Sequence, residues 1–135
     1  MKIIFKNVDL TFQKKRNYKY NLGFSDLLLG YVIYEHGTLN REYQMHTQEL
    51  TVSEGDTIEY CLIQASTFLA VVAAYDGNTY KKSDSVQAVD TENTVDTMTT
   101  HTYVVPAGIN KVIISCSNPA TATDAMRAKV SIKVY

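Results

Sequence analysis

The stretch FLAVVAAYDGNTYKK, residues 68–82, decides the fold. Its apolar run ends at Asp76 and Gly77, and a second short run of strand-forming residues follows. Asp-Gly between two such runs is among the strongest short-range signals for a β-hairpin, because glycine accepts the positive φ that a tight hairpin turn requires. The sequence therefore predicts two antiparallel strands here, joined at Asp76-Gly77-Asn78.

The same hairpin carries the candidate ligand-binding residues, which are Tyr75, Asp76, Asn78 and Tyr80. The chain has ten tyrosines and no tryptophan. Tyrosine rings stack on sugar faces while their hydroxyls form hydrogen bonds, so tyrosines beside a polar turn are typical of a recognition surface. Tyrosine is also ordinary filling for a half-buried strand, and that structural interpretation stays open. One aspartate and one asparagine supply too few oxygens for a metal ion.

Strand-like runs recur along the rest of the chain, separated by turn signals such as Glu54-Gly55-Asp56 and Pro106-Ala107-Gly108. Regular spacing of this kind predicts an all-β fold of about eight or nine strands, as an antiparallel β-sandwich or barrel. No domain boundary is visible, which predicts a single domain over residues 1–135. The further candidate strands are residues 2–8, 30–35, 46–52, 57–62, 101–105, 111–117 and 126–134.

Two segments depart from simple alternation. Residues 22–29 are compatible with one or two helical turns. Residues 83–100 form a long polar connection, and connections of this length in a compact domain are often functional. Its acids (Asp84, Asp90, Glu92 and Asp96) raise the question of calcium, but they lack the spacing and central glycine of an EF-hand loop, so no metal site is predicted.

The composition excludes several classes of partner. Net charge is −1, with 13 basic and 14 acidic residues, so the chain lacks the basic excess that a nucleic-acid binder needs. No apolar run is long enough to cross a bilayer, and the N-terminal apolar patch is too short for a signal peptide. Cys61 and Cys116 lie in apolar runs and are predicted to be free, buried thiols.

Catalytic motifs are not found. Glu35 and His36 are adjacent, but neighbouring strand residues face opposite sides of a sheet, so the pair is better explained as a strand end before the turn at Gly37. The chain has no nucleophile elbow, phosphate loop or cofactor motif. We therefore expect a non-enzymatic protein without a cofactor.

Four stretches, taken in order, resemble the jelly-roll, lectin-like domains of bacteriophage virion proteins. They are GYVIYEHGTLN (30–40), LTVSEGDTIEY (50–60), AAYDGNTYKKS (73–83) and TYVVPAGINKVIISCSN (102–118). The resemblance implies a β-sandwich of jelly-roll type and a place among tail, fibre or head-decoration proteins. It carries over no ligand residue, because the ligand residues of such domains follow no fixed motif.

The resemblance and the residues together predict a virion structural or accessory protein that exposes a glycan-binding surface. Its expected partners are other virion proteins, further copies of itself, with a trimer expected, and host surface glycans. Its expected location is the virion. Replacing Tyr75 and Tyr80 by alanine is expected to abolish sugar binding without unfolding the domain. The alternatives are a secreted or surface carbohydrate-binding module of bacteria, a cement protein without a ligand and, last, a hydrolase.

Overall fold

The computed structural model describes residues 17–135. The predicted strand at residues 2–8 therefore lies outside the described residues. The elements are β1 (Tyr20–Gly23), β2 (Leu28–Val32), β3 (Leu39–His46), β4 (Leu50–Thr51), β5 (Thr57–Cys61), β6 (Ala70–Asp76), β7 (Thr79–Tyr80), β8 (Val86–Gln87), β9 (Thr100–Val104), β10 (Lys111–Cys116), α1 (Asp124–Lys129) and β11 (Ser131–Val134), with 3-10 turns at Phe24–Asp26 and Lys82–Asp84.

The strands form two sheets in which every pairing is antiparallel. One has four strands in the order β1-β11-β5-β9, and the other has seven, with β2-β3-β10-β6-β7 in line, β4 beside β10 and β8 beside β6. The protein is thus all-β with a β-sandwich-like architecture, which confirms the predicted class.

Alternating residues of both sheets fill one shared core. Ile58 and Tyr60 of β5 and Ile132 of β11 are buried from the four-stranded sheet, and Val112 and Ile114 of β10 are buried from the seven-stranded sheet. A strand with one face on a core must place its apolar residues at every second position, which is the pattern seen here.

Strand β6 is the exception, because it is buried on both faces. Val72 and Ala74 contribute to the main core, whereas Ala70, Ala73 and Tyr75 belong to a second, smaller cluster on the other side of the sheet. Burial on both faces explains why this strand is a continuous apolar run rather than an alternating one.

The C-terminal prediction was wrong in its first half. Residues 124–129 form helix α1, and only the last part of the predicted strand is strand β11. Thr123 caps the helix, with its Oγ1 accepting a hydrogen bond from the Met126 amide at 3.2 Å. Asp124 in the first turn and Lys129 in the last have the charges that the helix dipole favours.

Other elements differ from expectation in extent. Residues 17–135 hold eleven strands rather than eight or nine, and three of them, β4, β7 and β8, are only two residues long. Residues 22–29 contain a single 3-10 turn, at Phe24–Asp26. Cys61 and Cys116 are buried and free, as predicted.

The segment 83–100 is anchored to the body of the protein. It contributes β8 to the larger sheet and forms a bridge between Gln64 and Glu92. Its residues Ala88, Glu92 and Met98 are buried. Within residues 17–135, no helix has the length and apolar character needed to span a membrane.

Candidate functional site

The predicted hairpin is present as β6 and β7. Tyr75 pairs with Tyr80 and Asp76 with Thr79, so the loop consists of Gly77 and Asn78. Gly77 has φ of 59°, the positive value that a two-residue hairpin loop with glycine in its first position requires.

The two tyrosines of the hairpin use their hydroxyl groups inside the protein. Tyr75 is 6% exposed, and its hydroxyl donates to the Gly37 carbonyl at 2.8 Å. The Tyr80 hydroxyl donates to the Tyr34 carbonyl at 2.6 Å. The ring centroids lie 5.5 Å apart. Burial raises the pKa of Tyr75 to about 12. The pair therefore holds the turn between β2 and β3 against the outer face of the large sheet.

The four predicted ligand residues do not form one open surface. Asp76 and Asn78 are exposed, but the Tyr75 ring is not, and the ammonium of Lys111 lies 4.9 Å from that ring's centroid. Lys111 Nζ also donates to Asn78 Oδ1 at 3.3 Å. The expectation that Tyr75 offers its ring at the surface was wrong, because the Tyr80 ring packs beside it and the Gly37 carbonyl accepts from its hydroxyl. Ligand binding at this hairpin stays a prediction.

A different pair of aromatic rings faces solvent. Tyr43 is 64% exposed and Phe68 is 71% exposed. Both line a groove of about 650 Å³, which we call the aromatic groove. Its lining residues are Tyr43, Gln44, Ala65, Ser66, Phe68, Asn118, Pro119 and Ala120.

An irregularity in the β2–β3 pair positions Tyr43. Leu29 pairs with Met45 and Tyr31 with Asn40, so Gly30 alone lies opposite residues 41–44. Extra residues on one strand bulge out of the ladder and bend it. The bulge requires glycine on the partner strand, since a Cβ at Gly30 would lie 2.8 Å from the Asn40 carbonyl oxygen.

A tight turn before β6 positions Phe68. The Ser66 Oγ accepts from the Phe68 amide at 3.4 Å, and the Tyr34 amide donates to the Phe68 carbonyl at 2.9 Å. These bonds fix the backbone of Phe68 while the ring projects into solvent.

Hydrogen bonds from backbone amides to side chains hold the rest of the lining of the aromatic groove in place. Ser117 Oγ accepts from the Ala65 amide at 3.0 Å, and Gln44 Oε1 accepts from the Asn118 amide at 2.5 Å. Arg127 of helix α1 donates through Nε to Asn118 Oδ1 at 3.2 Å. The groove is therefore built on fixed backbone, which lowers the entropic cost of ordering it around a ligand.

A second depression of about 820 Å³ adjoins the aromatic groove and shares Ala65 and Pro119 with it. Its other lining residues are Asn93, Thr94, Val95, Thr121, Thr123, Ala125 and Met126. We call it the neighbouring depression. Segment 83–100 thus contributes a wall through residues 93–95.

Two of the acidic groups singled out in the sequence, Glu92 and Glu35, have structural contacts. Glu92 accepts hydrogen bonds from the amide and hydroxyl of Thr99, at 3.0 and 3.2 Å, and lies 2.5 Å from His101 Nε2. Glu35 pairs with Lys82, which lowers the pKa of the Glu35 carboxyl. Within residues 17–135, no three His, Cys, Asp or Glu side chains are grouped so that they could hold a metal ion.

The signals for the aromatic groove in the sequence are only partial. Tyr43 stands among the polar residues of NREYQ (40–44), which is typical of a strand exposed on both faces. Phe68 follows Ser66 and Thr67, but its position at the start of an apolar run makes it look like core. Only the fold shows that the two rings line one groove.

Comparison with protein-family models, with curated proteins and with solved structures finds no match.

Proposed function

We propose that this protein is a non-enzymatic accessory component of a bacteriophage virion, of jelly-roll type, that binds glycans in the aromatic groove. The observation that carries the glycan part is the exposure of Tyr43 and Phe68 along one open, preformed groove. An exposed aromatic face is costly to keep in water and stacks well on the apolar face of a sugar ring.

The polar lining of the groove supports the same function. The amide of Gln44 has its oxygen occupied by the Asn118 amide, and the described residues supply no acceptor for its Nε2. Ser66 accepts from Phe68 through Oγ, which leaves its hydroxyl proton to donate elsewhere. Aromatic rings with a few directed polar groups are the usual lining of a small-molecule site.

The virion part of the proposal is supported by the four resembling stretches. Each contains a turn beside a strand: a turn follows β2, Gly55 precedes β5, Gly77 joins β6 to β7, and Gly108 precedes β10. A virion presents many copies of an accessory protein, and repetition supplies the avidity that one weak sugar site lacks.

A glycan array probed with a multivalent display of the protein tests the glycan function. Phe68→Ala and Tyr43→Ala are each expected to weaken binding by about tenfold or more, because each removes a stacking platform. Leu29→Ala is the matched control, since Leu29 is 60% exposed but does not line the groove. Absence of any bound glycan would contradict the glycan function and favour a cement protein without a ligand.

Detection of the protein in purified virions tests the other part separately. Peptides of this chain, found by mass spectrometry in banded particles of a phage that encodes it, would support the virion assignment. Their absence from particles, together with retained glycan binding, would favour a bacterial carbohydrate-binding module.

A further inference from the structure

We infer that the groove selects uncharged glycans and admits an oligosaccharide rather than a single sugar. This inference rests on the proposed glycan function and names the class of ligand. The aromatic groove and the neighbouring depression contain no Asp, Glu, Lys, Arg or His among their lining residues. Charged residues make up 20% of the chain, so an uncharged lining over both cavities is a distinctive property of this surface.

Two cations of helix α1 bind polar atoms of the lining residues. Arg127 donates to Asn118 Oδ1 and pairs with Asp124 at 3.1 Å. Lys129 Nζ donates to the Val95 carbonyl at 2.6 Å. A sialic acid, a uronic acid or a phosphorylated sugar would therefore find no cation among the lining residues to replace the hydration of its anionic group.

The polar groups that face the groove are neutral amides and hydroxyls. The Nε2 of Gln44 and the Oγ–H of Ser66 are donors available for sugar hydroxyl and acetamido oxygens, since the bonds of both side chains use only their acceptor oxygens. Thr94 and Thr121 line the neighbouring depression, although Thr94 Oγ1 also lies 2.9 Å from Thr97 Oγ1. Hydroxyl and amide groups of this kind match the alternating donors and acceptors of a neutral sugar.

The size of the surface indicates an oligosaccharide. Cavities of about 300–1,000 Å³ are typical for one drug-sized ligand. The aromatic groove and the neighbouring depression are each of that order, about 650 and 820 Å³, and they meet at Ala65 and Pro119. One sugar unit on the rings of Tyr43 and Phe68 would leave the second cavity to take the next units of the chain.

The test is an array carrying neutral and acidic oligosaccharides of matched length, read at about 50 mM and about 500 mM NaCl. Neutral glycans are expected to bind, with an affinity that changes less than about twofold between the two salt concentrations, because no ion pair is screened. Conversion of a bound neutral glycan to its uronic acid form, by oxidation of the primary hydroxyl, is expected to weaken binding.

A charge placed in the groove sharpens the test. Ala120 is exposed and lines the aromatic groove, and Ala107 is also exposed, in the turn before β10. Ala120→Lys is expected to raise binding of the oxidised glycan about two- to fivefold at low salt, whereas Ala107→Lys, with the same net charge, leaves it unchanged.

The outcomes separate the two proposals. Preferential binding of acidic glycans, a steep loss of binding with salt, or no effect of Ala120→Lys would overturn the neutral-ligand inference while glycan binding stands. Binding of single sugars as tightly as of tetramers would overturn the oligosaccharide part. No binding to any glycan would overturn the glycan function itself.

Discussion

The two ends of strand β6 present aromatic side chains in opposite ways. At its C-terminal end, Tyr75 and Tyr80 turn their rings and hydroxyls inward and hold the turn 34–37. Before its N-terminal end, Phe68 projects into solvent across a groove from Tyr43. The contrast shows that a ring beside a turn is exposed to solvent only when no other segment packs on it.

The largest expected effect is the difference in stability between alanine substitutions at the two ends of β6. Tyr75→Ala is expected to cost about 3–5 kcal/mol of stability, because it empties a buried aromatic site and leaves the Gly37 carbonyl without its donor. Phe68→Ala is expected to change stability by less than about 0.5 kcal/mol, since the ring is exposed. Urea unfolding followed by circular dichroism measures both.

This result would reverse the expectation that Tyr75 is replaceable without unfolding. Equal losses for the two variants would mean that Phe68 is packed rather than exposed, and the comparison between the two ends of β6 would fail.

The turn at Gly37 packs closely on the ring of Tyr80, at the C-terminal end of β6. Gly37 has φ of 69°, and a Cβ there would lie 2.1 Å from the Tyr80 ring. Gly37→Ala is expected to cost about 2–5 kcal/mol, the sum of a left-handed backbone and overpacking. Gly77→Ala is the matched control, because Gly77 has φ of 59° but nothing within 4 Å of its Cβ position.

The control variant, Gly77→Ala, is expected to lose about 1–2 kcal/mol of stability, because it has only the cost of the left-handed backbone. Thermal unfolding of both variants gives the difference, which measures how closely the turn sits on Tyr80. No difference would show that the turn is free to move away from the ring.

The smallest effect is a change in pH dependence. Tyr75 stays neutral in the folded protein up to a pKa of about 12, against an ordinary value of 10.0, because it is buried. Between about pH 10 and 12 the unfolded chain binds fewer protons than the folded one, so stability falls as pH rises. Tyr75→Phe removes this contribution and is expected to flatten the fall by about 1.4 kcal/mol per pH unit.

Urea unfolding at several alkaline pH values measures the slope for the wild type and the variant. The stability of the variant is still expected to fall with pH, because burial also raises the pKa values of Tyr60 and Tyr103 to about 12. An unchanged slope would show that Tyr75 is ionised in the folded protein and therefore reached by solvent.

Local chemistry made much of the fold predictable. The hairpin at Gly77 and the alternation of β5 depend on neighbouring residues, so the sequence contains their signals. The C-terminal strand was extended too far because Met126 and Ala128 alternate with Arg127 and Lys129. That pattern also satisfies a short helix when a capping residue such as Thr123 precedes it.

The candidate site was less predictable because exposure is decided by contacts between distant residues. The hydroxyl of Tyr75 donates to the carbonyl of Gly37, which lies 38 positions away in the chain. The aromatic groove joins residues 43–44, 65–68 and 118–120, and no local pattern indicates that these three segments meet. Whether a ring is buried or offered depends on this long-range arrangement.

The bulge opposite Gly30 also affects how copies of the protein meet. Strand β2 ends the large sheet on one side, and among residues 17–135 no further strand pairs with its Leu28 or Leu29. A regular open edge invites another chain to add a strand, which leads to aggregation. Here Gly30, with φ of 119°, breaks the edge after two residues, and Val32 donates its amide to Ser115 Oγ. At this edge, the run of unpaired backbone groups with which a second copy could pair is therefore short.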